Sequence, residues 1–291
     1  MSYVTAGRAK KSMQHIAEAK RPRSGASAGS LLLTVLGEFA RPIGRPLWTR
    51  ALVEALAILA VDQGAARQAI ARSAAAGTIL AQRSGRQMRW RLSAAGKRIL
   101  EAGAARIYGF GGPMRDWDGT WLVLFASIPE SERALRHRLR SRLAWAGFGS
   151  AGQGVWISPR ADREDEAREI LRELGPKAGP QRFSLRARFG AIGDELELVR
   201  QAWNIDELET AYMAFTQKFS ALRPKSERAL FGAQTQLVHD WRRFPFIDPG
   251  LPASMLPANW AGTRAKELFD DLHARWSARA QDWFAALSAR E

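Results

Sequence analysis

QGAARQAIARSAAAGTILAQRSGRQMRWRL, residues 63–92, decides the fold of the first third of this chain. Wound at about 100° per residue, the stretch from about Gly64 to Ala76 puts Ala66, Ala69, Ile70 and Ser73 on one face. Arg67, Gln68, Ala71, Arg72 and Ala75 fall on the other. The first face is small and apolar, so this helix can pack closely on a neighbour. Gly77 stops it. Thr78–Gln82 and Gln87–Leu92 then read as two strands joined at Ser84-Gly85, a hairpin turn. The hairpin carries Arg83, Arg86, Arg89 and Arg91.

Upstream, Ser30 reads as an N-cap before Leu31, Leu32, Val35 and Leu36, and Pro42, Gly44 and Pro46 then break the chain. A second helix is expected from about Leu47 to Ala60, with Trp48, Leu52, Ala55, Leu56 and Leu59 as its apolar stripe. Asp62 and Gln63 form the turn and cap before the third. Ser93 caps a closing helix that runs towards Tyr108. The order helix, helix, basic helix, basic hairpin predicts a winged helix-turn-helix over residues 30–110. The outward face Gln63, Arg67, Gln68 and Arg72 offers side chains that pair with base edges in a major groove, Arg with guanine and Gln with adenine. Arg83, Arg86, Arg89 and Arg91 suit phosphates or a minor groove. Any one of these arginines alone is ordinary surface charge; their order along the chain points to double-stranded DNA.

Charge agrees. Residues 1–110 hold 18 Lys and Arg against 5 Asp and Glu, while the remaining 181 residues hold 26 against 24, so most of the net +15 sits on the head. A concentrated basic surface attracts polyanions. Residues 1–29, with six Lys or Arg, Glu18 and many Ala, Gly and Ser, read as a flexible basic arm that superficially resembles a transit peptide. With 0 Cys there are no disulfides and no thiolate metal sites. His15, His137, His239 and His273 lie too far apart in sequence for a local zinc motif. The apolar runs Ala55–Val61 and Trp121–Ala126 are far short of the roughly 20 residues that span a bilayer. A soluble protein with no membrane partner is expected.

The body reads differently. Trp121–Ser127 (WLVLFAS) is a strand buried on both faces. Pro129 and Ser131 open a helix with Leu135, Leu139, Leu143 and Ala146 on one side and Arg133, Arg136 and Arg140 on the other. Phe148–Pro159 is expected as a second strand, Asp162–Leu174 as an acidic helix, and Gln181–Phe189 as a strand with Phe183, Leu185, Ala187 and Phe189 inward. This order predicts a ferredoxin-like α/β sandwich over 111–192. Residues 193–291 read as a helical C-terminal domain ending in a helix from Thr263 to Leu287, interrupted by Phe244–Trp260 with four prolines in seventeen residues. Gly109–Gly112 reads as a hinge. The chain is thus an α+β multidomain protein. It carries no P-loop, dinucleotide fingerprint, nucleophile elbow or histidine–carboxylate cluster, so no enzyme and no cofactor is expected.

Five blocks carry a family resemblance: Ser30–Gly37 (SLLLTVLG), Ala105–Tyr108 (ARIY), Trp117–Trp121 (WDGTW), Trp145–Pro159 (WAGFGSAGQGVWISP) and Trp241–Trp260 (WRRFPFIDPGLPASMLPANW). In order and spacing they resemble the PaaX-type repressors of phenylacetate catabolism. The resemblance implies a bacterial, cytoplasmic, homodimeric repressor that leaves its operator on binding phenylacetyl-coenzyme A. It also implies a central domain similar to the small CRISPR-associated Cas-two nucleases. The stretch Arg67–Gly77 lacks the family's RTxxxRL pattern and keeps only Arg67 and Arg72 in register, which predicts a different operator preference. The alternative reading, a metal-dependent nuclease with a DNA-binding head, needs an aspartate where the chain has Ser127. For an aryl-acyl-coenzyme A effector, tryptophans stack rings and arginines meet phosphates. Two sets combine them: Arg136, Arg140 and Trp145, and Trp241, Arg242 and Arg243. Either set could equally be structural, with Trp buried and Arg reaching to water.

Overall fold

The computed structural model describes residues 26–111, 114, 116–175 and 182–290. Residues 1–25 of the expected basic arm lie outside them, and Ala28 and Gly29 already belong to the first helix. Packing divides the chain into two compact units. One comprises the chain up to Phe110 with Lys218–Arg242 and the residues from Leu268 onward; the other comprises Gly111–Gln217 and Arg243–Glu267.

In the first unit, α1 (Ala28–Val35) continues through a π-helical turn, Leu36–Ala40, and a single turn, Arg41–Ile43. Its N-cap is Ser27, whose Oγ accepts from the Ser30 amide at 3.2 Å, so the helix starts earlier than the sequence suggested. Leu47–Trp48 form strand β1 rather than the start of a helix. Their backbone pairs with Trp90 and Arg89, and Trp48, extended at φ −67 and ψ 144, is the cap residue of α2 (Thr49–Ile58). Helix α3 (Gln63–Ala75) follows, capped by Asp62, which accepts from the Ala65 amide at 2.9 Å. It ends in a Schellman motif: Gly77 has φ +76, its amide donates to Ala74 O, and the Thr78 amide donates to Ser73 O. Only glycine adopts that φ without strain.

Strands β2 (Ile79–Ser84) and β3 (Gln87–Leu92) form the hairpin and, with β1, an antiparallel sheet in the order β1-β3-β2. Gly85, the first central residue of the turn, has φ +60 and Arg86 a negative φ, the pattern of a II′ turn whose twist suits a two-residue hairpin. Helix α4 (Ala94–Tyr108) closes back, capped by Ser93. Gly96 passes so near β2 that any Cβ there would sit 2.1 Å from Thr78 O. Two C-terminal segments complete this unit's core: α9 (Glu227–Trp241) and the latter part of α10 (Ala261–Ala289). Phe39 is fully buried between Phe231 (4.7 Å between centroids) and Phe284 (5.5 Å), and Trp241 stacks on Phe269 at 4.6 Å. Packing therefore groups the C-terminal residues differently from their sequence order, because the aromatics that bury Phe39 come from beyond residue 218.

The second unit runs β4 (Thr120–Ala126), α5 (Arg133–Trp145), β5 (Gly149–Gly152), β6 (Val155–Ser158), α6 (Glu164–Leu174) and β7 (Arg182–Arg188). Its four strands are antiparallel in the order β5-β6-β4-β7, the arrangement of a ferredoxin-like βαββαβ sandwich. Leu122 and Leu124 face Leu139, Leu143 and Ile170 of the helices. Trp121 and Ile157 face the other way, against Val199 and Leu251. Phe148–Pro159 is a hairpin rather than one strand, turned by Gly152 and Gly154 at φ +149 and +76. Strand β7 also corrects its expected alternation: Phe183 and Leu185 are 51% and 42% exposed, because β7 is the sheet's edge. Helices α7 (Glu195–Ala202) and α8 (Ile205–Ser220) follow. Gly149 admits Trp203 against β5, where a Cβ would lie 2.6 Å from the indole. The proline-rich stretch packs as its apolar content requires, with Phe244 and Leu251 buried and Asp248 held by Tyr212 Oη at 2.6 Å and the Gly250 amide at 2.7 Å.

Candidate nucleic-acid interface

Helix α3 buries Ala66, Ala69 and Ile70 and exposes Gln63, Arg67, Gln68, Ala71, Arg72 and Ala75. Both expected faces are therefore realised, and the small buried face lets α3 pack against α1 and α2. The outward face carries two guanidiniums, two amides and two methyls, with no acidic side chain among them.

The hairpin arginines do not act as one group. Cross-strand pairs Leu80–Arg91 and Gln82–Arg89 share the sheet's outer face, whereas Arg83 pairs with Met88 on the face that buries Ile79 and Leu47. Arg86 is exposed in the turn and Arg91 on the outer face. Arg83 Nε donates to Gly85 O at 3.2 Å. Arg89 lies over the Trp48 ring at 3.7 Å, a cation–π contact that shields the indole. Arg89 thus serves the sheet, and Arg83, Arg86 and Arg91 are the hairpin guanidiniums exposed to solvent, with Arg83 turned towards the Gly85 carbonyl. Thr49 pins the hairpin to α2: its hydroxyl donates to Met88 O at 3.0 Å and accepts from Trp90 Nε1 at 2.8 Å. That junction brings forward Arg50, exposed in the first turn of α2, which the sequence reading passed over. Its signal was the Thr-Arg pair that begins three residues after Pro46.

Behind this surface, within the same unit, two polar clusters fix α9 and α10 to the first helix. Glu38, in the π-helical turn, accepts from Gln234 Nε2 at 2.8 Å and from Tyr108 Oη, and lies 3.0 Å from His273 Nε2. Burial pushes its carboxyl up, but the hydrogen bonds from His273, Tyr108 and Gln234 outweigh this and hold it below the usual range. Thr34 Oγ1 lies 3.1 Å from His239 Nδ1, and Arg242 donates to Thr34 Oγ1 at 3.3 Å and to Ser30 Oγ at 2.9 Å. Burial lowers the Arg242 guanidinium to about 10 and, with Arg242 beside it, the His239 imidazole to about 4.

The two Trp–Arg sets do not converge. Trp241 is fully buried against Phe269 and Phe110, Arg242 is spent on the α1 hydroxyls, and Arg243 lies over Phe244 at 5.2 Å. On α5, Trp145 packs on Phe246 at 5.5 Å, while Arg136 pairs with Glu130 and Arg140 is exposed a third of a turn or more away from Trp145. A small cleft beside α6 and β7, about 170 Å³ and lined by Leu124, Phe148, Glu164, Arg168 and Arg182 among others, falls below the roughly 300–1,000 Å³ of drug-sized ligand sites. Among the described residues, no three His, Cys, Asp or Glu side chains cluster to hold a metal ion, and no helix is long and apolar enough to cross a membrane.

Comparison with known proteins adds three domain matches in sequence order. The models for PaaX-like protein, the PaaX protein central Cas2-like domain and the PaaX-like protein C-terminal domain match residues 27–96, 114–199 and 203–286. The transcriptional repressor PaaX of Escherichia coli (strain K12) is 28% identical over 258 residues, 86% of this chain and 80% of that protein. An uncharacterised protein of Mycobacterium tuberculosis shares the fold at a TM-score of 0.58, with 22% identity over 86% of this chain and 97% of that one.

Proposed function

The chain belongs to the PaaX family, and on that premise we propose that it is a DNA-binding transcriptional repressor whose first unit is a winged helix-turn-helix. Helix α3 is the recognition helix and β2–β3 the wing. The observation that carries this reading is the outward face of α3, where Arg67, Gln68 and Arg72 stand exposed above a buried face of alanines and Ile70. Such a helix can enter a major groove while Arg86 and Arg91 meet phosphates.

The finer parts of the reading are a homodimer, a cytoplasmic bacterial setting, and an aryl-acyl-coenzyme A such as phenylacetyl-coenzyme A as the ligand that releases the operator. Phe183, stacked on Phe125 at 4.5 Å and half exposed with Leu185 on an edge strand, supports self-association, which light scattering of the intact chain checks. Family membership supports the effector. Its site is not the Trp241 set, whose indole has no open face.

The test is a mobility-shift series on the intact chain. Each neutralised phosphate releases counterion, so a reader with several phosphate contacts loses orders of magnitude in affinity between about 50 and 200 mM salt. Phenylacetyl-coenzyme A, coenzyme A and phenylacetate are then added in separate arms, and the thioester alone is expected to release the DNA, with a coupling of about 1–3 kcal/mol. A flat salt dependence contradicts the DNA reading. Release by the free acid replaces the thioester.

A further inference from the structure

Helices α5 and α6 lie side by side on the same face of the central sheet, yet they handle charge in opposite ways. Helix α6 (EDEAREILREL) opens with Glu164, Asp165 and Glu166 and pairs its arginines within its own turns, Arg168 with Asp165 at 2.5 Å and Arg172 with Glu169 at 2.6 Å. Helix α5 (RALRHRLRSRLAW) has five arginines, one histidine and no acid. Two of those arginines find partners outside the helix, Arg136 with Glu130 at 3.4 Å and Arg142 with Glu173 at 2.7 Å. Arg133, Arg138 and Arg140 are exposed and have no ion pair among the described residues.

Leu139, Leu143 and Ala146 bury one side of α5. Turned away from that side, Arg133, His137 and Arg140 follow one another at i, i+4 and i+7 and form an exposed ridge about 10 Å long. Such a row is unfavourable for an isolated helix. Arg133 and Arg136 sit at the N-terminal end, where the helix dipole favours acids, and Arg136 and Arg140 repel at i, i+4. The neighbouring helix shows that this fold can pair its charges instead. A straight, exposed row with two guanidiniums that have no ion pair among the described residues, and with Trp145 packed on Phe246, matches a linear polyanion rather than a bipartite small molecule.

We propose that the α5 ridge is a second DNA-contacting surface, in which Arg133 and Arg140 meet the phosphates of duplex DNA independently of sequence. This rests on the chain being a DNA-binding protein. It also assigns a DNA-contacting role to a part of the chain whose overall charge balance gave no sign of one.

The experiment uses the full chain and a 40-base-pair mixed-sequence duplex, followed by fluorescence anisotropy across a salt series. R133Q/R140Q is compared with R168Q/R172Q, which removes the same charge from α6. With about 0.9 counterions released per phosphate contact, R133Q/R140Q should lower the slope of log affinity against log salt by about 2 per chain and weaken binding about tenfold or more at 0.1 M salt. R168Q/R172Q and the charge-keeping R133K/R140K should leave the slope near that of the wild type. Matching far-UV circular dichroism and melting temperature confirm that the variants are folded. Equal slopes for R133Q/R140Q and R168Q/R172Q overturn the ridge while leaving the repressor reading intact. So does an unchanged DNA slope with lost phenylacetyl-coenzyme A binding. A wild-type chain that holds no duplex overturns both readings.

Discussion

The outward face of α3 and the two Trp–Arg sets of the later chain are built from similar residue types, and the fold uses them in opposite ways. On α3, Arg67 and Arg72 project to solvent with no acid on their face, because the alanines and Ile70 opposite them supply all the packing the helix needs. In the other sets the indoles are the packing. Trp241 is wholly buried, Trp145 leans on Phe246, and Arg242, Arg136 and Arg243 turn to hydroxyls, a carboxylate and a ring, while Arg140 stays exposed. Arg67 and Arg72, on a helix packed by small residues, are left free for a partner; Arg242 and Arg243, beside the buried Trp241, are drawn into the packing. Arg89, laid over Trp48, follows the second pattern inside the head.

The sharpest way to break this comparison is at Trp241. Trp241→Ala should cost about 3–5 kcal/mol in urea unfolding, as removal of a large buried ring does, whereas Arg243→Ala should stay within about 0.5 kcal/mol. A stable W241A protein that has lost effector binding would return Trp241 to the ligand site.

A smaller effect concerns pH. His239, lowered to about 4 in the fold, stays neutral at pH 5, while the unfolded chain's imidazole, near 6.5, is protonated. The unfolded state then binds more protons, so stability falls as pH drops from about 6.5 towards 4. Glu38, held below the usual carboxylate range, adds a further loss at lower pH, where it must be protonated. His239→Gln should remove about 1–2 kcal/mol of the loss between pH 7 and 5. Equal pH profiles for H239Q and the wild type would show that this imidazole titrates normally.

The β2–β3 hairpin offers the finest discrimination. Arg91→Ala should lower the salt slope of DNA binding by about 1 and leave stability alone. Arg89→Ala should leave the slope but cost about 0.5–1 kcal/mol by uncovering Trp48. The reverse pattern would put Arg89 on the DNA.

The head was legible because its signals are local. Asp62 caps, Gly77 stops, Gly85 turns, and the 3.6 period of Ala66, Ala69 and Ile70 fixes which face of α3 is outward. What escaped the sequence depends on distant partners. Leu47–Trp48 look helical until β3 pairs with them, and Phe183 and Leu185 alternate like a covered strand although β7 lies at an edge. The largest gap was the completion of the head's core by Phe231, Trp241 and Phe284, 192 to 245 residues beyond Phe39. No periodicity announces a contact across that separation. The Trp–Arg sets were visible as pairs, but adjacency in sequence does not tell whether an indole faces a ligand or a core.

The most direct test of the central claim compares operator and random DNA. With an operator selected from a random-sequence pool, Arg67→Ala and Arg72→Ala should each weaken operator binding by about 1–3 kcal/mol, roughly five- to 150-fold, because a bidentate base contact is lost. Binding to a random duplex of equal length should change less than about threefold, the scale of one lost non-specific charge. Equal losses on both would contradict α3 as the helix that reads the sequence.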